Sequence, residues 1–354
     1  MTRSEFLRVI RLSTIAMMVS MLGAQRVMAQ GAAASISKAD QDAAAEVIAN
    51  GRYGVEVTPT QEAVKNGAAA FARLGAPAEQ APFDYSPSLG GALPNPSIGF
   101  FGPNPSWGPV DLGYHGGPVI GGFVQWNVYL GCGTNDQTCW GNPQQFITDL
   151  NTSRFIHLLD QYVSLKTPKR YPLSNTYIFN TTPVGTYLDF SGTVSWLHAA
   201  VTAAGGAAFT GYGNIYHLYL NQGIDVCADP SDCYSPDGMH GPFTFCGYHS
   251  YVDFGDYGHT LFTVEPYQAV SGCDSSAPDL TSATGNVLSH EIFEAITDPD
   301  ITAWYGTGYP IDNAGEEIGD QCVWLHLYPQ KLGRHVYVTQ NEYSNKYHSC
   351  AAVP

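Results

Sequence analysis

The stretch NVLSHEIFEAITDPD, residues 286–300, decides how the rest of this chain is read. On a helix turning about 100° per residue, Leu288, Ile292, Ala295 and Ile296 fall on one side, and His290, Glu294 and Asp298 fall together on the other. His290 and Glu294 stand four apart, so their side chains converge on one point, with Glu291 at the margin of that face. Asp298 precedes Pro299, which discourages further helix. An ordinary amphipathic helix would turn this acidic side to water. Val287 lies on the same side with Phe293 flanking it, which argues against simple solvation.

Two ligands one turn apart beside a glutamate follow the logic of the zincin HExxH helix, with glutamate replacing the second histidine. Glu291 is then the base for a metal-bound water. Downstream, GEEIGDQCVW offers Glu316, Glu317 and Asp320. Glu317 is the first choice for a third ligand, with Asp320 as a ligand or a support to one. Asp298 and Asp300 compete, Asp300 standing where metzincin-like proteins place their third ligand. Because every ligand but one is a carboxylate, calcium or manganese competes with zinc. His249 in FCGYHS and Tyr305 are candidates for stabilising an oxyanion. His249 could also complete the metal site, a structural role being its alternative. His157, His198 and His217 read as structural, and no GxSxG elbow occurs.

Outward from this segment, PVIGGFVQWNVYLGC, NIYHLYL, HTLFTVEPY and RHVYVTQNEYS alternate as strands do. Asn142-Pro143 opens a helical stretch running to about Val163, and Gly192 to Ala204 forms another that Gly205 can end. The expected fold is mixed α/β, of α+β type: a single zincin-like globular domain over residues 112–354, with a mixed sheet and a metal-motif helix. Before it, residues 30–111 read as a pro-segment or linker, first Ala-rich and then Pro/Gly-rich, able to pack through Phe100, Phe101 and Trp107.

Residues 1–29 have the three parts of a secretory signal. Arg3, Arg8 and Arg11 come first, then an apolar run from Leu12 to about Ala24, then Val27-Met28-Ala29 before a cut at Gln30. An uncleaved anchor is the alternative, and no later segment is apolar for long enough to span a bilayer. Removing Arg3, Arg8, Arg11, Arg26 and Glu5 with the signal takes the formal charge from −16 to −19, a surface expected to repel nucleic acid and anionic lipid. The eight cysteines suggest four disulfides in an exported protein, with Cys132–Cys139 and Cys227–Cys233 as local closures and Cys322–Cys350 tying down the C-terminus. Asn151-Thr152-Ser153 and Asn180-Thr181-Thr182 fit the glycosylation sequon.

YHGGPVI, FVQWNVYLG, FCGYHS, VLSHEIFEAITDP, AWY, EIGDQC and QNEYSN, in that order over residues 112–350, resemble exported microbial proteins related to the plant phosphate-induced, EXORDIUM-type family. The resemblance implies a zincin-type helix in the microbial members. The plant members are associated with the cell wall and largely lack that helix, so the fold can persist without the metal chemistry. Two functions are therefore expected. One is a secreted metal-dependent hydrolase, a metalloprotease-like enzyme acting on an extracellular peptide or protein. The other is a non-catalytic protein binding cell-wall polysaccharide, with a structural cation and with Trp140, Trp304 or Trp324 stacking on sugars.

Overall fold

A computed structural model describes residues 111–131, 138–163, 171, 184–273, 277–306, 317–323 and 327–354, together with strand backbone at 25–27, 54–57 and 173–180. The rest of the predicted signal and of the 30–111 segment lies outside the described residues. So do Cys132, Glu316, Trp324 and part of the second sequon.

Five strands make the body of the central sheet: β1 (Val124–Leu130), β2 (Leu173–Asn180), β3 (Asn214–Leu220), β4 (Phe245–Phe254) and β5 (Gly258–Glu265). Their order is β2-β1-β3-β5-β4, flanked by the short strands Gln25–Val27 beside β2 and Gly54–Val57 beside β4. The four strands from β2 to β5 run parallel, and β4 returns antiparallel from β5. Parallel strands must be covered on both faces. In keeping with this, VQWNVYL and NIYHLYL are buried at every position after the first. The mixed α/β class expected from the sequence is present.

The helices are α1 (Pro143–Thr152), α2 (Asp160–Val163), α3 (Phe190–Ala204) and α4 (Leu280–Thr297). Asn142 caps α1 by accepting from the Gln145 amide. The stretch expected to run unbroken to Val163 is divided. Ser153 donates from its own amide to the Leu150 carbonyl at the end of α1, and a 3-10 turn, Phe155–Leu159, precedes α2. Gly205, at φ 128°, ends α3 as anticipated.

α4 carries the metal motif. It begins earlier than the motif alone suggested, because Asp279 caps it by accepting from the Ser282 amide. Asp298 closes it just before Pro299. The helix packs against β4, β5, α1 and the ribbon formed by Tyr328–Leu332 and His335–Thr339. Every residue from Ser282 to Thr297 is buried. The amphipathic alternative, with the acidic side in water, is therefore excluded.

Disulfides join Cys227 to Cys233, Cys246 to Cys273, and Cys322 to Cys350, and Cys139 is also disulfide-bonded. Each bridge expected among the described cysteines is formed. Among the described residues no helix is long and apolar enough to cross a membrane.

Candidate metal centre

Three elements bring the acidic and imidazole groups together. α4 supplies His290, Glu291 and Glu294. β4 supplies His249, and the turn from Glu317 to Cys322 supplies Glu317 and Asp320. Two glycines permit the approach. A side chain at Gly247 would meet Val287 at 2.6 Å and Glu291 Oε1 at 3.0 Å, and one at Gly319 would fall onto the His290 ring. Thus β4 can lie against α4, and the 317–322 turn can seat on His290.

His290 Nε2 stands 3.0 Å from Glu294 Oε1 and 3.6 Å from Asp320 Oδ1. Two ligands on a tetrahedral ion bound at about 2.0–2.1 Å are about 3.3 Å apart, so this spacing suits a shared ion. On the other side, His249 Nδ1 lies 3.5 Å from Glu291 Oε2 and 3.4 Å from Glu294 Oε2, while His249 Nε2 is 3.8 Å from Glu317 Oε1. Buried His, Glu and Asp groups here could therefore hold a metal ion, in two triads that share Glu294: His290, Glu294 and Asp320, and His249, Glu291 and Glu294.

His249, His290, Glu291, Glu294 and Glu317 are buried, and the Asp320 side chain is 9% exposed. Neither oxygen of Glu291 or Glu317 has a hydrogen-bond partner, nor has Glu294 Oε2 or His249 Nδ1. Among the described residues no lysine or arginine pairs with these carboxylates. Unmatched buried polar atoms are costly, and a cation would satisfy them together.

In the ion-free chain, protons resolve the charge. Burial, reinforced by Glu294 and the other carboxylates, pushes Glu317 and Asp320 well above the usual carboxylate range. Burial raises Glu291 to about 7 against the opposing effects of His249 and His290. Glu294 feels the same burial, but the charge of His290 and the nearby imidazole of His249 outweigh it and hold the carboxyl at about 2. His249 is pushed up to about 10, because Glu291 and Glu294 overcome the cost of burying its charge.

Supporting contacts orient both imidazoles. His249 Nε2 lies 3.3 Å from the Asp298 carbonyl, which can only accept, so Nε2 carries the proton in that bond and Nδ1 faces the glutamates. Gln340 Nε2 lies 3.1 Å from His290 Nδ1 and donates to the Gly319 carbonyl and Glu342, while its amide donates to Asn286 of α4. Asp320 accepts from the Glu317 amide and donates its own amide to Glu294, closing the turn.

The structure redistributes several expected roles. Asp320, not Glu317, stands beside the His290–Glu294 pair, and Glu317 lies toward His249. His249 joins Glu291 and Glu294 as a ligand candidate. Asp298 stays at the edge of the cluster: Oδ1 accepts from the amides of Thr302 and Ala303, and burial raises its carboxyl to about 6. Asp300 is drawn away, accepting from Tyr212 and contacting His259 Nε2 at 3.0 Å. Tyr305 stacks on His115, ring centroids 3.6 Å apart, on the ribbon pairing Trp304–Gly306 with Leu112–Tyr114. Gln340 and Glu342 had no part in the sequence reading. Their alternate positions within QNEYSN, at the close of the final strand pattern, were the available signal.

No protein-family model, curated protein or solved structure matches this chain significantly.

Proposed function

We propose that this chain is an exported, zincin-like, metal-dependent hydrolase acting on peptide bonds. The observation that carries the reading is the buried meeting of His290, Glu294 and Asp320 beside a glutamate whose two oxygens have no hydrogen-bond partner. His290 Nε2, Glu294 Oε1 and Asp320 Oδ1 are the groups that hold the ion, with zinc as the first choice and manganese or calcium as alternatives. A divalent cation held here supplies Lewis-acid polarisation and makes water more acidic. Glu291, raised to about 7, is placed to take a proton near neutral pH and pass it on. Asp320, 9% exposed, is the least enclosed of the ligands.

The EXORDIUM-type kinship belongs to the same proposal. Its support is convergence: FCGYHS contributes Gly247 and His249, EIGDQC contributes Glu317, Gly319 and Asp320, and QNEYSN contributes Gln340 and Glu342, all around the VLSHEIFEAITDP helix. YHGGPVI abuts the end of that helix through the Ile120 amide on the Ile296 carbonyl. Export is supported by the signal-like N-terminus and by the disulfides, which suit an oxidising compartment.

The test compares native protein with Glu291→Gln on a general protein substrate such as casein, alongside metal analysis of both. Loss of at least about 100-fold in turnover with the ion retained is expected. Full activity in the variant eliminates the mechanism.

One observation favours a second reading, a structural cation without turnover: every candidate ligand but Asp320 is fully enclosed, as in closed metal sites. A chelator would then lower the melting temperature while no substrate is cleaved. The sugar-stacking form of this reading loses Trp140, which is fully buried with its indole N–H on the Leu220 carbonyl.

A further inference from the structure

Glu294 faces two positions at once. Its Oε1 looks toward His290 and Asp320, and its Oε2 toward His249 Nδ1 at 3.4 Å, where Glu291 Oε2 also stands 3.5 Å away. A carboxylate shared in this way spans ions roughly 3.5–4 Å apart. Charge points the same way. Glu291, Glu294, Glu317 and Asp320 set four carboxylates against two histidines, with no lysine or arginine pairing with them among the described residues. One divalent ion leaves part of that buried negative charge unmatched. The atoms on the His249 side are also those left over. His249 Nδ1, Glu294 Oε2 and both Glu291 oxygens lack hydrogen-bond partners, and all three side chains are buried.

We propose a second cation position, held by His249 Nδ1, Glu291 Oε2 and Glu294 Oε2. This rests on the reading of His290, Glu294 and Asp320 as the first position. Its ion is a divalent transition metal that accepts mixed nitrogen and oxygen donors, of the zinc or manganese class. Glu294 is then shared between the two positions, one oxygen facing each.

The experiment strips the full-length mature protein with chelator, titrates it with zinc, and counts bound equivalents by elemental analysis and calorimetry. Two equivalents of unequal affinity are expected for the native protein, one for His249→Gln, and one for Glu291→Gln, which serves if the histidine variant fails to fold. Titration with manganese, read by electron paramagnetic resonance on native protein, is expected to give isolated-ion spectra first and exchange-coupled spectra after the second equivalent. One equivalent in native protein, unchanged by His249→Gln or Glu291→Gln, overturns the second position and leaves the first standing. No bound ion at all overturns both. Two equivalents that never couple also overturn the proposal, because Glu294 would not be shared.

Discussion

His217 and His249 sit in one cross-strand row of the central sheet: His217 pairs with Thr263 on β5, and Thr263 pairs with His249 on β4. Both are fully buried. Their surroundings differ completely. His217 Nδ1 meets Thr263 Oγ1 and Nε2 meets Gln125 Oε1, each at 2.9 Å, and burial holds the ring neutral by lowering it to about 3. His249 faces two glutamates, keeps Nδ1 without a hydrogen-bond partner, and is raised to about 10. Burial alone therefore does not separate a structural histidine from a candidate ligand. What separates them is whether neutral partners complete the hydrogen bonding locally or whether the site calls for charge from outside the chain.

The sharpest way to break this contrast is to exchange the two environments' key groups. Glu294→Gln, which removes the carboxylate common to both triads, is expected to weaken ion binding by about 100-fold or more, measured by metal content after dialysis. His217→Leu is expected to cost about 1–3 kcal/mol of stability in a denaturant titration and to leave metal content unchanged. If the His217 variant lost the ion as well, the two histidines would belong to one network and the distinction would fail.

A smaller effect comes from pH. In ion-free protein, Glu291 is raised from 4.5 to about 7, so its contribution to stability is complete below about 4.5 and is lost as pH rises to 7. His249 is raised from 6.5 to about 10, so its contribution is present below about 6.5 and is lost as pH climbs toward 10. Both run the same way. The stripped protein should therefore be less stable at pH 8 than at pH 5, by about a few kcal/mol in denaturant titration. Glu294, lowered to about 2, loses its contribution only below about 4.5, outside that window. Ion-loaded protein should not follow this trend, since the ion takes over the work of the protons. An equal fall in both forms would show that the surface histidines, not the cluster, set the dependence.

The smallest expected change lies at the periphery. His348 is 73% exposed and pairs with Asp111 at 2.9 Å. His348→Ala should stay within about 0.5 kcal/mol of the native protein in denaturant titration, because solvent screens such a pair.

The strands and α4 were legible in the sequence because their hydrophobic periodicity is local, and Asn142, Gly205 and Asp298-Pro299 announce helix ends in single residues. The site was legible only along α4. His290 and Glu294 converge by helix geometry, which sequence contains. The choice of Asp320 over Glu317 depends on how one short turn folds back, and Gly319 permits that fold by its contact rather than by its spacing. His249 was in view as a candidate, but its place between Glu291 and Glu294 is set by the packing of α4 on β4, which no local pattern encodes. Asp300 has the spacing of a competing ligand, but Tyr212 and His259 hold it elsewhere.

The turn that bears Glu317 and Asp320 ends at Cys322, and Cys322 is bridged to Cys350. A growing polypeptide thus lacks the anchor for this turn until Cys350, 28 residues after Cys322, has been added. With that bridge unmade, His290 and Glu294 would still converge on their helix, and only hydrogen bonds would hold Asp320 against them.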